Sequence, residues 1–327
     1  VGLLIRIYYN AVYGALGGLV GWMLFGILGD KNSDHRFAQA LLGGTLIGGC
    51  IGYLVVSVEA IRDGALIRIA RLATYGTVLG AIGGAIGMWL GDEVNFRSND
   101  LVGKNLFLEI LARGLGWTIL GVAIGMSEGI AARSLGKFSY GAVGGALGGF
   151  GGGCFFGLCY HVAIESQAGA TGQSQMGFTY WANALGLVIL GASIGSLSAL
   201  VQGVFQPASV KVMRGWQEGR EYPLEKPATL LGRDEHADIA LFRDMKVEKK
   251  HAFIRRDGPL FILVNNGAPA QYTLVNDAPI SRSVELHDGD RIQLGNVLLR
   301  FQTRAAMNRV RVPRALPVAS LAPSMGR

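Results

Sequence analysis

Six stretches of this chain, near residues 11–29, 37–58, 72–91, 114–127, 138–160 and 177–205, are almost free of charge and rich in aliphatic residues and glycine. A run of roughly 20 apolar residues spans a bilayer core, and in lipid the backbone of such a run must satisfy its own N–H and C=O groups, which leaves a helix or a closed barrel. The fourth stretch has only fourteen uncharged residues, between Arg113 and Glu128, so it is expected to reach the interface through snorkelling flanks or local thinning of the bilayer. Buried helices of a soluble bundle would show polar faces at helical period, and these stretches show none. The pattern predicts a six-helix membrane bundle.

Glycine sets how those helices meet. Of 50 glycines, 42 fall in residues 1–205, many at four-residue spacing: Gly76, Gly80 and Gly84, then Gly141, Gly145, Gly149 and Gly153. One face of each helix is then nearly bare backbone, and close approach across small residues supplies the packing that hydrophobicity cannot supply in lipid. The spacing predicts glycine zippers. The spans also repeat in pairs. Tyr13-Gly14-Ala15, Tyr75-Gly76-Thr77 and Tyr140-Gly141-Ala142 open the odd spans at intervals of 62 and 65 residues. Gly48 to Gly52, Gly121 to Gly125 and Gly191 to Gly195 mark the even ones at intervals of 73 and 70. Three hairpins in one orientation imply a pseudo-threefold axis along the membrane normal. Nine Lys or Arg lie near span ends on the N-terminal side (Arg6, Arg62, Arg68, Arg71, Arg133, Lys137, Lys211, Arg214, Arg220) against five on the other (Lys31, Arg36, Arg97, Lys104, Arg113). That bias predicts an integral inner (plasma) membrane protein with both termini cytoplasmic.

After residue 205 the grammar changes. Residues 1–205 carry 11 Lys/Arg and 10 Asp/Glu, a net +1, whereas residues 206–327 carry 19 and 13, a net +6. Short apolar runs at Val210 to Met213, Ala228 to Leu231, Ala252 to Ile254, Leu260 to Val264 and Val297 to Phe301 read as strands. Turn signals separate them at Asp257-Gly258, Asn265-Asn266-Gly267 and Asp288-Gly289-Asp290. The Asn266-Gly267 pair is read as a hairpin turn after the preceding strand. The expected division is a membrane domain over 1–205, a β-sandwich over 206–303 and a flexible basic tail over 304–327, near enough to the inner leaflet to meet anionic lipid.

Within residues 208–303 stand, in order, Leu231-Gly232-Arg233, Asp238-Ile239-Ala240-Leu241, Val247, His251-Ala252, Thr273-Leu274-Val275-Asn276 and the run from Leu286 through Asp288-Gly289-Asp290 to Gly295. In order and spacing these landmarks resemble a forkhead-associated (FHA) domain. The resemblance implies a β-sandwich whose loops at one end recognise phosphothreonine peptides. Arg233 matches the phosphate-contacting arginine, His251 the histidine that braces the binding loop, and Gly232 and Asn276 the structural positions. Two departures stand out: Glu248 replaces the family's phosphate-binding serine beside a retained basic Lys249, and Gln271-Tyr272 replaces the usual Asn-Gly. A carboxylate repels phosphate and cannot donate to it while ionised. Glu248 is therefore expected to pair with Arg233 and fill the site from within. Two readings stay open, phosphopeptide binding through Arg233, Lys249, Gln271 and Tyr272, and a phosphate-independent protein contact on the same sandwich.

No enzyme is expected, because the five histidines are scattered and no serine or cysteine sits in a nucleophile elbow. Cys50, Cys154 and Cys159 lie in apolar runs and read as buried hydrophobes, with no metal site and no cofactor implied. Glycine patterns in the spans lack the strand and acid of a dinucleotide loop, and Gly136-Lys137 is followed by Phe138 where a phosphate loop needs a hydroxyl. Nucleic acid is not expected, since no aromatic platform accompanies the charge. Only neutral polar groups such as Thr45, Thr77, Asn183 and Ser193 sit within the spans, which argues against an ion pathway. The sequence thus points to a membrane-anchored scaffold or signalling adaptor that docks a protein partner, with room for an oligomer. A small channel or transporter regulated by a cytosolic FHA domain is the alternative.

Overall fold

A computed structural model describes residues 3–29, 36–63, 66–103, 105–132, 134–166, 173–224, 226–234 and 236–303. The basic tail lies outside the described residues. Six helices, α1 (Leu3–Leu28), α2 (Arg36–Asp63), α3 (Leu66–Val102), α4 (Leu106–Ala132), α5 (Leu135–Glu165) and α6 (Gln173–Phe205), are each long and apolar enough to cross a membrane. They are longer than the apolar cores alone because the flanking polar turns remain helical. Glycine costs about 1 kcal/mol per residue in a helix in water. In lipid the alternative is an unpaired amide, so the helices persist.

The helices form a closed ring in chain order, with α6 returning to α1. Their closest backbone contacts join one hairpin to the next. A methyl placed on Gly76, Gly80 or Gly84 of α3 would overlap the carbonyl of Gly52, Gly48 or Gly44 of α2. Gly141 and Gly145 of α5 stand in the same relation to Gly125 and Gly121 of α4, Gly149 to Trp117, Gly191 of α6 to Gly14 of α1, and Gly195 to Asn10. A second glycine row serves the contacts within hairpins: Gly17 and Gly21 lie on Ile51 and Ile47, and Gly144, Gly148 and Gly152 lie on α6. Each odd helix is therefore bare on two faces.

The even helices fill the axis. Ile51, Ile124 and Ile194 hold equivalent repeat positions, as do Ile47, Leu120 and Leu190 one turn away, and all six are buried in one cluster. The charged flanks of α4 do not snorkel outward, contrary to the expectation for a short span. Arg113 turns inward over the rings of Tyr160 (4.4 Å) and Phe156 (5.6 Å) on α5. Glu128 likewise has a fully buried carboxylate oxygen. Charges that face protein avoid the cost of lipid exposure. At the end nearer the β-domain, Glu59 of α2 bridges Arg6 of α1 (2.6 Å) and Lys137 of α5 (3.9 Å), and Arg6 also donates to Gln202 of α6 (2.9 Å).

Two residues after α6 the β-domain begins. Among the described residues its strands are β1 (Ala208–Arg214), β2 (Glu221–Pro223), β3 (Ala228–Gly232), β4 (Ile239–Ala240), β5 (Ala252–Asp257), β6 (Leu260–Asn265), β7 (Thr273–Val275), β8 (Ala278–Pro279), β9 (Ser283–Leu286), β10 (Arg291–Leu294) and β11 (Val297–Thr303). They make two sheets, ordered β2-β1-β11-β10-β7-β8 and β4-β3-β5-β6-β9. Alternate residues such as Val210 and Val212 or Leu299 and Phe301, and cross-strand partners such as Ile254 and Leu263, point between the sheets into one core. The Asp257-Gly258 turn closes the β5–β6 hairpin, as expected.

Asn266-Gly267 does not make a hairpin. Strands β6 and β7 belong to different sheets, so the chain must cross the sandwich there and takes a short 3₁₀ turn at Ala270–Tyr272. The Asn265 side chain binds the main chain of Ala268 and the carbonyl of Ile280, and the Asn266 side chain donates to the Lys250 carbonyl (2.9 Å).

Candidate functional site

Three connections converge at one end of the sandwich: the residues after β3, the loop between β4 and β5, and the crossing between β6 and β7. Gly232 ends β3 against the second of these. A methyl there would overlap the Lys249 carbonyl, so only glycine lets the strand approach so closely. That approach allows the Arg233 amide to bond the Glu248 carbonyl (2.9 Å) and the Asp234 amide to bond the Lys249 carbonyl (3.2 Å).

His251 locks the loop from beneath. It is fully buried; its Nδ1 accepts from the Glu248 amide (3.0 Å) and its Nε2 faces Thr273 Oγ1 (2.9 Å). An Nδ1 that accepts leaves the proton on Nε2, which donates to Thr273. Burial pushes the imidazole below its ordinary range, against hydrogen bonding at Tyr272 and the charges of Glu248 and Asp244, so the ring is held neutral.

Above this frame lie the side chains of the rim. Arg233 is half-buried and donates to the Met245 sulfur (2.7 Å). Glu248 and Lys249 are exposed, as are Lys246 and Lys250. Lys246 reaches over the Tyr272 ring (5.8 Å), while Gln271 is exposed on the 3₁₀ turn beside it. Arg233 and Glu248 are joined through the main chain and not through an ion pair, which corrects the expectation that Glu248 fills the site from within. The physical reason is direction: the main-chain bond that holds Glu248 turns its carbonyl to Arg233, and its side chain stands in solvent. Asp234 is held below the usual carboxylate range by the His236 amide and ring, which keeps it ionised at the rim.

Asn276 stands apart from this rim. With φ of 50° at Asn276 and 67° at Asp277, the pair makes the tight β7–β8 turn, and the Asn276 side chain binds Asp290 (2.8 Å) and the Arg291 amide (3.0 Å). Asp244 and Met245 went unnoticed in the sequence. Asp244 is buried and holds the amides of Lys246 (3.0 Å) and Asn296, pinning the loop to the β10–β11 turn. A lone acid in a charged loop carries no sequence signal for that role.

A family described as the cytoplasmic domain of an inner membrane component of T3SS (Yop-YscD) matches residues 211–305. The glycogen accumulation regulator GarA of Mycolicibacterium smegmatis is 36% identical over 96 residues, 29% of this chain. The chain spans 59% of that relative's length. The oxoglutarate dehydrogenase inhibitor of Corynebacterium diphtheriae is 34% identical over 110 residues, covering 33% of this chain and 75% of the relative. A solved structure described as a structural and functional analysis of phosphothreonine-dependent FHA domain interactions shares 30% identity, covers 30% of this chain and 97% of that one, and superposes with a TM-score of 0.27. Through its C-terminal β-sandwich, carried on six membrane-length helices, this chain belongs to the forkhead-associated domain family.

Proposed function

We propose that this protein is a membrane-anchored FHA scaffold or signalling adaptor that docks a protein partner at the cytoplasmic face. Residues 1–205 anchor it, 206–303 bind the partner, and 304–327 extend toward anionic lipid. The observation that best supports the reading is the rim of Arg233 and Lys249, held on a loop that Gly232 and His251 lock in place. Among the described residues the Arg233 guanidinium is engaged only by a thioether sulfur, a weak acceptor that an anionic group on a partner displaces.

Glu248 tempers what that rim binds. Its carboxylate opposes a phosphate carrying about −1.5 to −2 charges. A phosphothreonine peptide is therefore expected to bind weakly, near about 1 mM. Glu248→Ser is expected to tighten binding about tenfold by removing repulsion and supplying a donor, and Arg233→Ala to abolish the gain. Titration of labelled peptides, phosphorylated and not, measures both effects. Micromolar binding by the unaltered protein, lost on dephosphorylation and with Arg233→Ala, would replace the weakened site with ordinary phosphothreonine recognition.

The nine-to-five Lys/Arg bias supports the orientation. A cysteine introduced at exposed Ser281 is expected to react with an impermeant thiol reagent only after lysis. Labelling in intact cells would reverse the topology. The two aliphatic layers across the ring axis weigh against the channel or transporter reading.

A further inference from the structure

The helical ring is not filled throughout. At the end away from the β-domain, beyond the layer of Ile47, Leu120 and Leu190, it opens into a cavity of about 1140 Å³ to which all six helices contribute. Pockets of roughly 300–1,000 Å³ hold small ligands, so this one has room for a polar head and the start of an apolar tail. Its walls divide accordingly. Trp22, Trp117, Phe156, Tyr160 and Tyr180 supply aromatic surface.

Several of the polar groups are incompletely satisfied, the Asn95 carbonyl oxygen among them. The Asn183 carbonyl oxygen and the Arg113 Nε are both fully buried with no hydrogen-bond partner among the described residues. Arg113 meets one carboxylate, Asp92, at 3.9 Å, which is too long for a hydrogen bond. Arg36 lies over the Phe96 ring at 4.2 Å and shares the field of Asp92. Glu93, the other acid on the wall, is taken by Arg97 at 2.7 Å. With Glu93 neutralised by Arg97, which stands outside the lining, Arg113 and Arg36 thus face Asp92, and these five groups carry an excess of one positive charge.

We propose that this cavity binds a hydroxyl-bearing phosphodiester, the head group of an anionic phospholipid. The diester carries one negative charge, which matches the excess, whereas a phosphate monoester carries about −1.5 to −2 and would overshoot it. Its two free oxygens accept from Arg113 and Arg36, a head-group hydroxyl donates to Asn183, and the aromatic walls cover the first acyl carbons.

The test uses the full chain in detergent, with native mass spectrometry of bound phosphatidylglycerol against phosphatidylcholine of the same acyl chains. Preferential retention of phosphatidylglycerol is expected, reduced about tenfold by Arg113→Gln and by Asn183→Leu, which keeps the side-chain volume. Should Arg113→Gln fail to fold, the Asn183→Leu comparison decides alone. Equal retention of the two lipids, or undiminished phosphatidylglycerol binding in the folded variants, overturns the proposal. Binding of free glycerol phosphate in place of the lipid also overturns it, and assigns the site to a soluble phosphate ester.

Discussion

Replacing Gly145 with leucine is expected to destabilise the helical bundle by about 3 kcal/mol or more, because α4 and α5 meet there at backbone distance. A methyl alone would overlap the Gly121 carbonyl and lie 3.3 Å from the Gly125 Cα, and both neighbours are main chain that cannot rotate away. The effect should spread, since separating α4 from α5 opens a ring that contacts between successive helices hold closed. Leu147→Ala is the comparison. That side chain is 54% exposed and faces outward, so its loss should cost about 0.5 kcal/mol or less. Thermal melting of helical circular dichroism in detergent measures both. Matching melting curves for Gly145→Leu and the parent would show that these faces meet lipid and not each other.

Removing the imidazole of His251 should be the most damaging single change in the β-domain. His251→Leu strands the Glu248 amide and the Thr273 hydroxyl, both of which the ring now satisfies, at a cost of about 2–4 kcal/mol. The parent protein carries a pH signature that the variant lacks. The folded-state pKa of His251 lies below the ordinary 6.5, so below pH 6.5 the unfolded chain binds a proton that the folded one refuses. Its contribution is therefore fully present above pH 6.5 and is lost as pH falls through the window below. Denaturant melts at pH 7.5 and 5.5 should show the parent losing more stability than the variant over that interval. An equal loss in both would mean that His251 is not held neutral by its burial.

Much of the helical half was legible because lipid leaves a chain so few solutions. Apolar length located six spans, and four-residue glycine spacing marked helices that touch through backbone. The spacing could not say which helix each row meets. Gly80 turned out to face α2 across a hairpin boundary, while Gly17 and Gly148 form second rows within hairpins. A periodicity gives the angle of a face around its own axis, and the neighbour depends on how the ring closes. Arg113 was misjudged for a related reason: an arginine near a span end snorkels only when lipid is its surroundings, and here the rings of α5 stand beside it.

In the β-domain the runs around Val210, Ile254, Leu263 and Leu299 announced themselves by apolar length, but two-residue strands such as β4 and β8 carry no such signal. The resemblance at Gly232-Arg233 and His251 led to the locked loop. It could not show that Glu248 meets Arg233 through the main chain and without an ion pair, nor that Asn266 reaches across to Lys250.

By itself the sequence determined the six long apolar helices of the described residues, the β-sandwich that follows them, and the residue types at the rim. Those follow from solvent preference and local periodicity, which each segment carries alone. Only the tertiary structure decided which glycine rows face each other, that Asn183, Arg113 and Arg36 share one cavity, and that His251 joins the Glu248 amide to the Thr273 hydroxyl. These depend on where distant segments come to rest, and that placement is set by packing of the whole ring and sandwich.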